Sequence, residues 1–250
     1  MCLTLYDPNR GLPDVSGYDA WLVRTVTKVN SCTFPVIPPS LKFVGTGSSG
    51  SDHVEIPYLQ QSGITFGDAL GCNSRAVAEY VVTALLQLHE NKSVDFRQKT
   101  IGIVGVGHAG SALNNLLITF GCSPILYDPP RAQRDESFIS STLEDVLECD
   151  ILSFHTNFTR TGEFPTQYWL DEKKLENRSF DVIINAARGG IVKENVVMNA
   201  FDRGQIGHLI TDVWENEPDI NPEMAARSFI ATPHIAGYSE ESKLDATRLV

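Results

Sequence analysis

The chain reads as an α/β protein built on a parallel sheet, and three observations predict it. From Thr100 to Thr232, short apolar runs alternate with segments of helical spacing. One run, Ile101 to Val104, breaks into Gly105-Val106-Gly107-His108-Ala109-Gly110, a G-x-G-x-x-G. The residues best suited to chemistry, among them His155, Arg188, Asp212, Glu217 and His234, fall at or just after the ends of apolar runs. In open α/β sheets ligands sit beyond those strand ends.

Each part of the glycine unit has a physical job. Gly105 permits a tight turn, Gly107 lets the backbone approach a pyrophosphate, and Gly110 lets the next helix lie against the strand. Leu113, Leu116, Leu117 and Phe120 mark that helix, and Gly121 sits at its C-cap. Its first N–H groups, around His108 and Ala109, offer a partial positive charge to phosphates. The strand Ile125 to Tyr127 ends in Asp128, an acceptor for the ribose hydroxyls that would repel a 2′-phosphate. The unit predicts a Rossmann-type doubly wound domain that binds NAD in preference to NADP.

Before this unit, alternation predicts a strand at Cys2 to Tyr6 and another at Ala20 to Arg24. Arg24-Thr25-Val26-Thr27-Lys28 puts two cations and two hydroxyls at a strand end. A strand is expected at Leu41 to Val44, running into the small-residue turn Gly45 to His53, whose exposed backbone N–H groups form a possible anion nest or a flexible loop. A short strand follows at Ile64 to Phe66. Val77, Tyr80, Val81, Ala84, Leu85 and Leu88 then define a long apolar helix that joins two domains. The expected division is 1–79 with 239–250 as one domain and 80–238 as the other.

After Asp128 the alternation continues. Helices are expected from an N-cap at Thr142, over Asp171 to Leu175, from Lys193 to Arg203 (stopped by Gly204), and from Glu240 to Val250. Strands are expected at Asp150 to Phe154, Val182 to Asn185, Leu209 to Asp212 and Phe229 to Thr232.

Composition narrows the function classes. An apolar share of 42% and a charged share of 20% over 250 residues are those of a soluble globular protein. No apolar run approaches the roughly 20 residues of a membrane span. The N-terminal M-C-L-T-L-Y-D-P shows no basic segment leading into an apolar one, so no secretion signal is predicted. Five cysteines without C-x-x-C spacing predict reduced thiols in a cytoplasm, with neither zinc nor a disulfide framework. A formal charge of −11 disfavours nucleic acid and anionic membrane as partners.

Hydride transfer to a nicotinamide needs a base for the hydroxyl proton, a group that fixes the tautomer of the base, and a cation for the substrate carboxylate. His234 in T-P-H-I-A-G-Y, Glu217 in D-V-W-E-N-E-P and Arg188 in N-A-A-R-G-G suit these roles in turn. The bland alternatives are a structural histidine, a solvated loop acid and a surface salt bridge.

These same segments carry a resemblance. The glycine unit, N-A-A-R-G-G, D-V-W-E-N-E-P and T-P-H-I-A-G-Y together resemble the D-isomer-specific 2-hydroxyacid dehydrogenases, from about Leu41 to Val250. V-R-T-V-T-K-V-N, K-F-V-G-T-G-S-S-G-S-D-H-V, G-C-N-S-R-A-V-A-E-Y-V and D-P-P-R-A resemble the branch acting on 4-phosphoerythronate on the route to pyridoxal 5′-phosphate. The resemblance implies a Rossmann-type domain plus a smaller flavodoxin-like substrate domain, here shortened. It implies Arg188, Glu217 and His234 as catalytic residues. NAD contacts are implied at Asp128, Thr156, Asp212, Gly237 and across Ala186, Ala187 and Arg188. Substrate contacts are implied at Thr25, Ser48 and Tyr238. Arg24 and Lys28 are read as the charge for a phosphate, and Ser48-Ser49-Gly50 as the nest for a carboxylate.

Against the family pattern, the stretch between Cys2–Tyr6 and Ala20–Arg24 is cut down, and Asn157 replaces a usual proline. The resemblance implies a homodimer built on an extra C-terminal domain, and the sequence as read to Val250 does not predict that dimer. Two other readings stay open on the residues: a related enzyme for glycerate, phosphoglycerate or another 2-hydroxy acid, and an NAD-binding chain without turnover.

Overall fold

The structure is a computed structural model and describes residues 2–250; Met1, the first residue of the expected 1–79 segment, lies outside the described residues. Two compact units are present, one running up to Asn73 and including Ser239–Val250, the other Ser74–Tyr238.

The smaller unit holds a parallel sheet of three strands in sequential order, β1 (Ala20–Val23), β2 (Phe43–Thr46) and β3 (Thr65–Asp68). Helix α1 (Ile56–Gln61) precedes β3. Trp21, Val23, Leu41, Val44, Leu59 and Ile64 form the core of this unit. The expected strand at Cys2 to Tyr6 does not form: the segment is irregular, and Leu3 and Leu5 are 75% and 87% exposed. β1 and β3 are the edges of this sheet, and the alternating segment pairs with neither. The second strand also lies two residues later than Leu41 to Val44. It runs through Gly45, where a Cβ would come within 2.6 Å of the Val250 side chain and 2.8 Å of Leu22. Glycine reads as a breaker in sequence, but here it admits close packing.

In the larger unit a six-stranded parallel sheet has the order β5-β4-β6-β7-β8-β9. Its strands are β4 (Ile101–Val104), β5 (Ile125–Tyr127), β6 (Ile151–Phe154), β7 (Phe180–Asn185), β8 (Ile206–Thr211) and β9 (Ile230–Ala231). The order reverses at β4, between β5 and β6, which makes the C-terminal end of β4 the switch point where a ligand crevice belongs. Apolar residues alternate between two cores. Ile103, Val182, Ile184 and Ile210 enter one, with Leu113 and Leu117; Val104, Phe154, Ile183 and Leu209 enter the other.

Helix α2 (Ser74–Lys92) packs along α3 (His108–Thr119) within this unit. The whole of α2 therefore goes with the larger unit, and not only the part after Glu79. α5 (Leu143–Leu147) opens with a capping box between Thr142 and Asp145. α6 (Glu172–Leu175), α7 (Glu194–Asp202) and, in the smaller unit, α9 (Glu240–Leu249) lie where spacing places them. The spacing does not predict α4 (Pro129–Arg134), α8 (Pro222–Arg227) or α1. All three begin with proline in the first turn. No described helix is long and apolar enough to cross a membrane.

Candidate active site

The glycine turn is fixed by what its neighbours exclude. Gly105 has φ +88°, and a Cβ there would come within 2.6 Å of the Thr156 Cα and 2.8 Å of the His155 carbonyl carbon. A Cβ on Gly110 would strike the Gly105 carbonyl oxygen. Gly107 is different: it is the N-cap of α3, offers no side chain to its N–H groups, and a Cβ there would meet nothing within 4 Å. The twelve-residue α3 thus presents uncapped N–H groups beside open space, as an anion requires.

Asp128 lies across from this turn. Its Oδ2 accepts from Val106 N–H at 2.8 Å, and its Oδ1 accepts from Arg131 N–H at 2.9 Å, capping α4. The Arg131 guanidinium donates to the Val106 carbonyl at 2.7 Å and to Ser111 Oγ at 3.1 Å, and pairs with Asp135. The acid expected to read the ribose also ties the turn to α4, which its sequence position did not reveal. Turn, uncapped helix and adjacent carboxylate together fit a dinucleotide.

His155 closes the far side of the turn, its N–H donating to the Val104 carbonyl at 2.8 Å. Burial lowers its pKa to about 4, so it is neutral, and Ser153 Oγ lies 2.8 Å from its Nε2.

Arg188, Glu217 and His234 leave the loops after β7, β8 and β9, three adjacent strands. Glu217 Oε2 lies 2.8 Å from His234 Nδ1, and its Oε1 accepts from Trp214 N–H at 2.8 Å. Burial pushes the Glu217 pKa up. The hydrogen bonds from His234 and Trp214, with the charges of His234 and Arg188, outweigh it, and the net shift is downward. The hydrogen bond to Glu217 raises the His234 pKa, opposed by burial and by Arg188 and helped by the charges of Glu217 and Asp212. Arg188 acts electrostatically on both partners and donates to the Ala187 carbonyl at 2.7 Å. Sequence spacing left three separate candidates; the fold brings them together.

His234 has φ +57°, a left-handed conformation that a non-glycine residue adopts only when held there. Asp212 holds it. This carboxylate is 1% exposed and takes three hydrogen bonds: from Thr232 Oγ1 at 2.6 Å, Ile235 N–H at 2.8 Å and Ala236 N–H at 2.9 Å. The His234 N–H donates to the Asp212 carbonyl at 2.7 Å. Thr232 Oγ1 in turn lies 2.7 Å from the Tyr80 hydroxyl, whose pKa burial pushes up to about 12.

Gly189 was not singled out by the sequence. A Cβ on it would strike the Trp214 carbonyl oxygen, so the Arg188 loop presses backbone to backbone on the Trp214–Glu217 loop. Glu194 and Glu215 stitch the same loops, each carboxylate accepting the other's N–H, at 2.7 and 2.9 Å. Beside Glu217 and His234 a cleft of about 370 Å³ is lined by Trp214, Pro218, Ile220 and Pro233.

In the smaller unit, Arg24, Thr25 and Lys28 are exposed on the turn after β1. Ser48, Ser49 and Gly50 follow the adjacent β2. A Val29–Val54 bridge joins the two loops. Tyr238 closes the larger unit, 65% exposed.

Residues 75–236 match the family model described as D-isomer specific 2-hydroxyacid dehydrogenase, NAD binding domain. The chain is 41% identical over 247 residues to the erythronate-4-phosphate dehydrogenase of Escherichia coli O6:K15:H31, covering 97% of this chain and 65% of that protein. It is 40% identical over 250 residues, with the same coverage, to the erythronate-4-phosphate dehydrogenase of Yersinia enterocolitica. The chain thus spans 65% of the length of these curated relatives. Among solved structures it is similar to a D-lactate dehydrogenase from Aquifex aeolicus complexed with NAD and lactic acid. The TM-score is 0.75 at 23% identity, over 95% of this chain and 82% of that one, a likeness of fold.

Proposed function

The chain belongs to the D-isomer-specific 2-hydroxyacid dehydrogenase family, and on that premise we propose that it oxidises 4-phosphoerythronate at the 2-hydroxyl with NAD⁺. One observation carries the chemistry: a histidine and a carboxylate 2.8 Å apart, both within the field of one arginine. The choice of substrate is supported by the 40–41% identity to erythronate-4-phosphate dehydrogenases.

Bound NAD⁺ supplies the acceptor for the hydride that leaves C2. The Glu217 carboxylate can only accept, so Nδ1 of His234 carries the hydrogen between them and Nε2 is left bare. Nε2 then takes the hydroxyl proton, and Glu217 stabilises the resulting imidazolium. Arg188 holds the substrate carboxylate and the developing carbonyl oxygen. Asp212 keeps the 232–236 turn, and with it the imidazole, in place.

For the cofactor, we assign the pyrophosphate to Gly105, Gly107, His108, Ala109 and Gly110, and the adenosine ribose to Asp128. Thr156, Ala186, Ala187, Arg188, Asp212 and Gly237 are assigned to the nicotinamide half. For the substrate, Arg24, Thr25 and Lys28 are assigned to the phosphate, Ser48, Ser49 and Gly50 to the carboxylate, and Tyr238 to a further contact.

The purified chain with NAD⁺ and 4-phosphoerythronate, followed by absorbance of the reduced nicotinamide, tests this. Glycerate, 3-phosphoglycerate and D-lactate are run in parallel. The highest kcat/KM is expected for 4-phosphoerythronate; a higher value on any of the others rejects it as substrate.

A further inference from the structure

A chain of hydroxyls runs under the loop after β2. Thr46 is fully buried, and its Oγ1 lies 2.7 Å from Ser48 Oγ and 2.9 Å from His53 Nε2. Ser48 Oγ donates to the Gly50 carbonyl at 3.1 Å. Each hydroxyl has one proton, and a carbonyl only accepts. The Ser48 proton is therefore committed to Gly50, and Ser48 accepts from Thr46. The Thr46 proton is then committed to Ser48, and Thr46 accepts from His53. Nε2 of His53 must carry hydrogen. The reverse direction would ask Ser48 to give one proton to both Thr46 and Gly50.

The anchor of this chain is rigid. The His53 carbonyl accepts from Val29 N–H at 2.8 Å, and Val54 N–H donates to the Ser51 carbonyl at 2.9 Å. Burial lowers the His53 pKa against the opposing charge of Asp52, which favours a neutral ring. Its Nε2–H donates whether the ring is neutral or protonated, so the direction does not depend on that balance.

We propose that His53 is a positioning residue: through Thr46 it fixes Ser48 as a hydrogen-bond donor, ready to turn its proton from the Gly50 carbonyl onto a carboxylate oxygen of the substrate. This rests on the reading of the substrate as a 2-hydroxy acid. A carboxylate has no proton to give, so a donor of fixed polarity selects it over a group that must itself donate.

Two measurements test the proposal. In the free wild-type protein, ¹⁵N-resolved NMR of the histidine rings should find His53 with hydrogen on Nε2; the Nδ1–H tautomer overturns the relay whatever the substrate is. In kinetics, His53→Leu removes the donor, while His53→Gln keeps an N–H at similar reach. KM for 4-phosphoerythronate should rise about tenfold or more in His53→Leu, kcat should stay within about twofold, and His53→Gln should restore most of the loss. Thr46→Val should give a similar loss, and the double variant no more than the larger single one. Additive losses, or a fall in kcat with KM unmoved, reject the relay. Competitive inhibition by erythritol 4-phosphate, which has no carboxylate, should be unchanged in His53→Leu; equal weakening would overturn the carboxylate assignment. A wild type that does not turn over 4-phosphoerythronate defeats the substrate reading, and the tautomer alone then decides the relay.

Discussion

Glu217 Oε2 stands 2.8 Å from Nδ1 of His234, and this single contact sets the proton inventory of the site. It places hydrogen on Nδ1, bares Nε2, and stabilises the charged ring.

The pH profile of substrate oxidation follows from it. In the proposed reaction His234 acts as the base and must be neutral, and the Glu217 hydrogen bond raises its pKa above the ordinary 6.5. kcat/KM should therefore fall as pH drops, with a midpoint above 6.5. Glu217→Gln removes the charge that raises it, so the midpoint should move down and the plateau should drop. His234→Ala should cost about 10²–10⁴ in kcat with NADH binding by fluorescence retained. A midpoint unmoved by Glu217→Gln would separate the carboxylate from the base.

Asp212 is buried under three donors, so Asp212→Asn should destabilise the chain by about 1–3 kcal/mol in urea titration. kcat should fall further than stability explains, because the left-handed turn at His234 loses its tether. An unchanged kcat would show that the turn holds itself.

Two glycines should respond in opposite ways. Gly189→Ala drives a methyl onto the Trp214 carbonyl and should destabilise by about 1–3 kcal/mol or more. Gly107→Ala meets nothing within 4 Å and should leave the urea midpoint nearly in place while weakening NADH binding. Equal loss of stability in both would contradict the geometry.

Asp128→Ala should narrow the preference for NAD over NADP and also cost about 1 kcal/mol through the lost cap on α4. Calorimetric titration with both cofactors, alongside urea unfolding, reads the two effects separately.

Lys28→Ala should raise KM for 4-phosphoerythronate by about tenfold and barely affect unphosphorylated erythronate. Equal losses for both would remove Lys28 from the phosphate site.

Much of this was legible in the residues. The run Ile101 to Val104, the glycine turn and α3 follow from period and spacing alone. The three catalytic candidates were legible as residue types after strand ends. Their convergence was not, because it depends on β7, β8 and β9 being neighbours. Proline hid α1, α4 and α8, since it punctuates a sequence and yet suits a first helical turn. Alternation at Cys2 to Tyr6 misled because its apolar side chains, Leu3 and Leu5, stay exposed and bury nothing that would hold a strand. Gly189 presses on Trp214, distant in sequence, and the contacts of Thr46 with Ser48 and His53 depend on how the loop after β2 folds back, so no local period marks them.

The adjacency of β7, β8 and β9 has a consequence for how such a chain can change. The stretches joining those strands carry Arg188 and Glu217 in their first few residues, and the rest of each, the body of α7 beyond Glu194 and α8, holds none of the three groups. These outer parts can drift in composition or lengthen, generation by generation, while the strand tips keep arginine, carboxylate and imidazole in register. Length and composition can thus change in those outer parts without moving the residues that handle the proton.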